Sequence, residues 1–199
     1  MEKSLSLKWP AFSLRFVNNV LSGVVVVLAL YIIVAPILPA GLFWWRQHFE
    51  SSSAPVTAAR QHKPIPKTDE LIIPSIFLKE AIHEGSDTYA ELKKGVWRVP
   101  SSSTPDKGSN TVIAGHRFYY SSTAVFYNLD KVAKGNPISI YWEGKEYDYK
   151  VISTDVVQPT DVSVQDPTVK PTLTLYTCTP LWTSKYRLVV KAELTGVHS

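Results

Sequence analysis

The sequence contains a single cysteine, Cys178. One cysteine excludes an intramolecular disulfide and any metal site built from several thiolates. Most single cysteines are small buried side chains that only pack against their neighbours. The residues around Cys178 therefore decide between a packing role and a chemical one.

The sequence also has few charged residues and no long run of Lys or Arg. Nucleic-acid binding is not expected, because no basic run is interleaved with aromatic residues. Hydrophobic residues make up 45% of the 199 residues, which is enough for one folded domain with an appendage. The formal net charge of +4 suits work near an anionic surface, such as a membrane or a wall polymer.

A long apolar run lies near the N-terminus. Residues 20–35 (VLSGVVVVLALYIIVA) carry no charge, and apolar residues continue to Trp45. A helix of about 20 residues crosses a bilayer, and Pro36 and Pro39 predict a bend or an end near its far side. We predict an uncleaved transmembrane signal-anchor at residues 16–45, with a cleaved signal peptide as the alternative.

Basic residues are distributed unevenly around this run. Lys3, Lys8 and Arg15 precede it, whereas Arg46 is the only basic residue in the first dozen that follow. The positive-inside rule then places residues 1–15 in the cytoplasm and the rest of the chain outside the membrane.

The remainder of the chain divides into a linker and a folded domain. Residues 46–68 are rich in Ser, Ala and Pro and show no hydrophobic periodicity, so they read as a tether. Residues 69–199 contain many short alternating segments separated by turn signals such as residues 143–145 (EGK). Short helices are expected after Asp87 and over residues 122–132. Many strands and few helices predict a closed or nearly closed β-barrel, since closure removes exposed edges.

Cys178 ends one of the predicted strands, residues 173–178 (LTLYTC). The two-residue period of a strand places Leu173 and Leu175 on the core face and the thiol on the opposite, more polar face. Pro180 stops the strand directly afterwards. This position favours a chemical role for the cysteine.

Two further residues suit a site around the thiol. Arg187 opens the next predicted strand, residues 186–194 (YRLVVKAEL), on the polar face that Cys178 also occupies. His116 ends the compact apolar strand formed by residues 111–116 (TVIAGH). Taken alone, the arginine could be a surface residue and the histidine a structural one.

Together these three residue types suffice for acyl transfer through a thioester. A free thiol has a pKa near 8.5, so a neighbouring imidazole increases its nucleophilicity and can later protonate a leaving amine. A guanidinium is a permanently charged donor for the oxyanion that forms. The hypothesis is that Cys178 is the nucleophile, His116 the acid/base and Arg187 the oxyanion stabiliser.

The same residues carry a family resemblance. Residues 174–178 (TLYTC) match the T-L-x-T-C signature of the sortases at every defined position. Residues 111–117 (TVIAGHR) resemble the strand that ends in the sortase histidine, and residues 186–190 (YRLVV) the strand that opens with the sortase arginine. A weaker resemblance extends from Ile72 to Leu194, so it covers the whole folded domain.

The resemblance implies an eight-stranded sortase β-barrel anchored in a bacterial cell membrane. It implies cleavage of a C-terminal sorting signal of the LPXTG type after its threonine, with the acyl group held on Cys178. The acyl group would then pass to an amine of a cell-wall precursor or a pilin. The resemblance also suggests that Thr177 lines the substrate groove, with a simple strand residue as the alternative.

Other features refine this interpretation. No Asp-Pro-aromatic motif of the lidded pilin-polymerising class occurs between Glu50 and Ile72, and the connections around the site are short. The chain therefore resembles the class D or E sortases more closely. No clear acidic cluster supports calcium, so no metal or cofactor is expected. A thiol hydrolase on the same site and a non-catalytic peptide-binding barrel remain the alternative functions.

Overall fold

The computed structural model describes residues 14–35, 37–49, 66–118 and 124–199. The chain divides into two compact units, residues 1–61 and residues 62–199. The predicted cytoplasmic segment, residues 1–15, and the predicted linker, residues 46–68, lie mostly outside the described residues.

The first unit contains two helices, α1 (Leu14–Val34) and α2 (Leu38–Phe49). Helix α1 is long and apolar enough to cross a membrane, with a mean hydropathy of 2.3. Pro39 lies in the first turn of α2, where a missing backbone N–H is tolerated. The predicted signal-anchor, residues 16–45, thus contains α1 and part of α2, with a break between Val34 and Leu38, near the prolines for which a bend or an end was predicted. Among the described residues only α1 has the length of a span.

The described part of the second unit forms a closed barrel of eight strands. The strands are β1 (Glu70–Ile73), β2 (Leu78–His83), β3 (Val96–Arg98), β4 (Asn110–Ala114), β5 (Pro137–Trp142), β6 (Lys145–Val157), β7 (Thr172–Thr179) and β8 (Tyr186–His198). Their order around the barrel is β1-β2-β3-β4-β7-β8-β6-β5, and β1 closes the ring by pairing with both β2 and β5. The predicted barrel is confirmed.

Short helices join some of these strands. Helix α3 (Thr88–Lys94) begins after Asp87, as predicted, and ends before Gly95. The carboxylate of Asp87 accepts the N–H of Ala90 at 3.1 Å. The 3₁₀ helices found in the described part of the chain are Pro74–Ile76, Pro105–Lys107, Leu129–Lys131 and Val162–Gln165.

The helix predicted over residues 122–132 is wrong for the part that the structure describes, which begins at residue 124. Backbone N–H groups there donate to the carbonyl three residues earlier, as Leu129 N does to Phe126 O at 3.1 Å. Phe126, Leu129 and Val132 are all buried. Their three-residue spacing places them on one side of a 3₁₀-type turn, which the barrel surface selects over an α-helix.

The predicted alternation along β7 is present. Leu173 and Leu175 are fully buried inside the barrel, as expected for the core face. Thr174 lies on the opposite, more polar face and is fully buried as well. The outer face of β7 is therefore covered.

Asn110 on β4 organises this cover. Its Oδ1 accepts the hydroxyl of Thr174 at 2.8 Å, and its Nδ2 donates to the carbonyls of Val164 at 3.1 Å and Asp166 at 3.0 Å. These bonds fix the connection between β6 and β7, which contains the 3₁₀ helix Val162–Gln165, against the outside of the barrel.

Candidate active site

Three neighbouring strands, β4, β7 and β8, position the predicted site residues. Strands β4 and β7 are parallel, and Ala114 lies opposite Tyr176. His116 and Cys178 each follow two residues later in the chain. Parallel neighbours run in the same direction, so the two residues lie side by side at the same end of the barrel.

Strand β8 places Arg187 on the other side of the cysteine. In the antiparallel ladder between β7 and β8, Cys178 is directly opposite Arg187. Residues opposite each other in such a ladder project their side chains to the same face. The pairing predicted for these two strands is present, and Cys178 lies between His116 and Arg187.

The backbone around His116 is held on both sides. Gly115 N donates to Tyr176 O at 3.3 Å, which extends the ladder by one residue beyond β4. The carbonyl of His116 accepts the N–H of Phe126 at 3.0 Å. The histidine therefore has a fixed backbone position although it lies outside a strand.

Thr177 contributes to the same anchoring. The residue is 2% exposed, and its hydroxyl donates to the carbonyl of Gly115 at 2.7 Å. This bond joins the residue before Cys178 to the residue before His116. The Thr177 hydroxyl is thus used within the domain.

Burial determines the electrostatics of the histidine. Burial lowers the pKa of His116 below its ordinary value of 6.5, because the charged imidazolium loses hydration. At neutral pH the imidazole is therefore mainly neutral, the form in which it can accept a proton. Burial also raises the pKa of Tyr176, although nearby Arg187 acts in the opposite direction, so that phenol stays neutral.

Backbone carbonyls close to Arg187 in the sequence orient its guanidinium. Its Nη1 donates to the carbonyls of Ser184 at 3.0 Å and Tyr186 at 3.1 Å. Among the described residues both of its hydrogen bonds use Nη1, so Nη2 and Nε are available to a bound ligand. A planar guanidinium held by one edge presents its remaining donors in a fixed direction.

Two cavities meet at His116 and Cys178. The first, of about 310 Å³, also contains Arg187 and is bounded by Leu92 of α3. Its far wall comes from the connection between β6 and β7, through Pro159, Asp161, Val162, Val164 and Gln165.

The second cavity, of about 430 Å³, lies on the other side of the cysteine. Arg117 and Phe118 form one wall, and residues 180–184 between β7 and β8 form the other. The rings of Phe118 and Trp182 meet across it, with centroids 3.6 Å apart and planes inclined by 52°.

Comparison with known proteins identifies the family. A sequence model of the sortase domain matches residues 71–195. The chain belongs to the sortase family. The family resemblance drawn from residues 174–178 and the barrel that it implies are confirmed.

The matched relatives include sortases of both expected classes. The chain is 37% identical to sortase SrtE1 of Streptomyces coelicolor over 139 residues, which cover 62% of this chain and 39% of that protein. It is 32% identical to sortase D of Bacillus subtilis over 94 residues, which cover 47% of this chain and 44% of that protein. The matches thus span about two fifths of the length of these relatives.

A solved structure is similar as well. Sortase E1 from Streptomyces coelicolor, determined with a tripeptide in the active site, superposes with a TM-score of 0.60 at 30% sequence identity. The superposition covers 66% of this chain and 90% of that chain.

Two buried polar residues of this sortase domain were not predicted to serve the site. Asn110 fixes the wall of the first cavity, and Arg117 lines the second. Both are visible in the sequence, but a single sequence does not reveal that an asparagine or an arginine is buried. Only the fold brings them to their partners, which are 10 to 64 residues away in the chain.

We expect Gly115→Ala to destabilise the sortase domain. A Cβ at this position would lie 2.7 Å from Phe126 Cδ2 and 2.9 Å from Val125 Cγ2, so the turn that holds the carbonyl of His116 must move. Overpacking of this kind costs about 1–3 kcal/mol, measured by denaturant unfolding.

Gly196→Ala is the matched control for this change. The nearest atom there is Nε2 of His198 at 3.3 Å, the end of a flexible side chain, so we expect a change within about 0.5 kcal/mol. Equal unfolding free energies for the two variants would contradict the tight packing inferred at Gly115.

Proposed function

We propose that the chain is a cysteine transpeptidase that cleaves a sorting signal of the LPXTG type and transfers the acyl group to an amine. One observation carries the proposal. Cys178 on β7 lies between His116, which follows β4, and Arg187 on β8, at the junction of two cavities.

The first half of the reaction forms the acyl-enzyme. Neutral His116 accepts the proton of the Cys178 thiol as sulfur attacks the threonine carbonyl of the signal. The oxyanion faces Nη2 and Nε of Arg187, which stabilise it. When the tetrahedral adduct collapses, the C–N bond breaks and the imidazolium of His116 protonates the leaving amine.

The second half reverses these roles. An acceptor amine attacks the thioester and gives its proton to His116. The C–S bond breaks, and the thiol of Cys178 regains a proton from the imidazolium. The acceptor is an amine of a cell-wall precursor or a pilin.

The two cavities separate donor and acceptor. We assign the sorting signal to the first cavity, because Arg187 lines it and the oxyanion must form there. Thr177 lines that cavity, while its hydroxyl bonds the carbonyl of Gly115. The acceptor amine enters through the second cavity. The tripeptide in the active site of the Streptomyces coelicolor sortase E1 structure supports a peptide ligand.

The N-terminal helix supports a membrane location. Helix α1 is the single-pass anchor in a bacterial cell membrane, with Lys3, Lys8 and Arg15 on the cytoplasmic side. The sortase domain then lies outside the cell, where the amine acceptors and sorting-signal proteins are.

The proposal is tested with the full chain in detergent, LPXTG-like peptides and triglycine as the amine. Intact-protein mass spectrometry is expected to detect an adduct equal to the N-terminal peptide fragment, which triglycine discharges as a joined product. Cys178→Ala is expected to abolish both. Hydrolysed product alone, even with triglycine present, would favour the thiol hydrolase, and cleavage that persists in Cys178→Ala would exclude both enzymes.

Arg187→Lys is expected to lower kcat about a hundred- to a thousandfold, the usual cost of removing one oxyanion donor. A lysine keeps the charge but cannot present the planar set of donors. Steady-state transfer of peptide to triglycine measures the effect. Arg98→Lys is the matched control, because Arg98 lines neither cavity, and similar rates for both variants would remove Arg187 from the mechanism.

The pH profile reports on His116. Because burial lowers its pKa, the imidazole stays neutral as the pH falls past 6.5, and activity is lost only when the imidazole is finally protonated. The acid limb of kcat/KM is therefore expected at an apparent pKa below 6.5. His83→Gln should leave this limb in place, whereas a limb above 6.5 would contradict the assignment.

A further inference from the structure

Arg117, the residue after His116, has a buried guanidinium with its side chain 7% exposed. Arginine is almost never fully buried unless it is paired, and this one has three partners. Nη2 lies 3.0 Å from Asp130 Oδ2, Nη1 donates to Thr179 Oγ1 at 2.7 Å, and Nε donates to the carbonyl of Tyr127 at 3.3 Å.

These partners belong to the segments that flank the two reacting groups. Thr179 is the residue after Cys178, so one side-chain bond joins the residue after the nucleophile to the residue after the histidine. The other two bonds reach residues 127–130, directly after Phe126, whose N–H holds the carbonyl of His116. A single side chain thus connects both sides of the site.

The charge of Arg117 is compensated locally. Asp130 neutralises it at 3.0 Å, and the pair adds no net charge to the site. Arg117 also lines the second cavity, whereas Arg187 lines the first. The donors of its planar guanidinium point in fixed directions. They therefore hold the neighbouring segments in position and do not stabilise the oxyanion.

We propose that Arg117 is a positioning residue that fixes His116 relative to Cys178. The inference rests on the proposed function, because it concerns the approach of imidazole to thiol. A misplacement of 1 Å in such a pair can cost about a hundredfold in rate. The ladder between β4 and β7 ends before both residues, so the contacts of Arg117 continue it through side chains.

The test compares Arg117→Lys with the wild-type full chain in detergent. Lysine keeps the positive charge and its pairing with Asp130 but cannot bond Thr179 and Tyr127 at the same time. We expect kcat for transfer of an LPXTG peptide to triglycine to fall about tenfold or more. The KM for the LPXTG peptide should stay within about twofold of the wild-type value, because Arg117 does not line the first cavity, to which that peptide is assigned.

A second readout needs no peptide. Iodoacetamide alkylates Cys178 faster when a neighbouring imidazole takes up the thiol proton, so the rate reports the pairing of His116 with Cys178. We expect Arg117→Lys to slow alkylation at neutral pH. Thr179→Val removes only one acceptor, and a smaller decrease in both rates is expected for it.

Arg98→Lys is the matched control. Arg98 is 12% exposed in its side chain, pairs with Glu84, donates to the carbonyls of Val99 and Ser102, and lines neither cavity. Arg98→Lys should lower the melting temperature by about as much as Arg117→Lys does, and it should leave kcat and the rate of alkylation unchanged.

The outcomes separate the two proposals. Wild-type kcat and alkylation rate in Arg117→Lys would overturn the positioning role, and so would losses no larger than those of Arg98→Lys. If the wild type fails to transfer the peptide, the transpeptidase proposal is contradicted and the proposal for Arg117 is not. The alkylation rates of Arg117→Lys and Arg98→Lys then still decide the role of Arg117.

Discussion

The parallel pairing of β4 with β7 is the constraint on which the rest of the site depends. Because the strands run in the same direction, the residues that follow them, His116 and Cys178, reach the same end of the barrel. A register shift of one residue would turn the thiol towards the barrel interior and break this relation. The antiparallel partner β8 then needs only its second residue, Arg187, to complete the group.

Beyond the last backbone hydrogen bond between β4 and β7, side-chain hydrogen bonds join the two chain segments. Thr177 bonds the carbonyl of Gly115, and Arg117 bonds Thr179, so each proposed reacting residue has a flanking residue tied to the other strand. Buried donors and acceptors are costly to leave without partners. Separating the strand ends would leave these buried donors and acceptors without partners. The cost of doing so keeps the strand ends together at the site.

The periodic strands could be predicted from the sequence, whereas contacts between residues far apart in the chain could not. In residues 173–178 and 186–194, apolar residues recur at every second position (173 and 175; 188, 190, 192 and 194), because one face of each strand must fill the barrel, and their pairing could be predicted. The helix predicted over residues 122–132 is wrong for residues 124–132, because burial against the barrel, and not local preference, selects the turns there. The burial of Thr174 depends on Asn110, which lies 64 residues away, and no local pattern reveals it. The neutralisation of Arg117 by Asp130 is hidden in the same way.

The anchoring of the connection between β6 and β7 has a thermodynamic consequence. Asn110 secures Val164 and Asp166 from beneath, and Thr168 N donates to Ser109 Oγ at 3.1 Å. Under the proposed function, an extended peptide would therefore meet a wall that hydrogen bonds within the domain hold in place. Folding a segment upon binding usually costs about 2–5 kcal/mol, and a groove with its wall preassembled avoids that expense. The heat-capacity change of association should then reflect only the apolar area that the ligand itself covers.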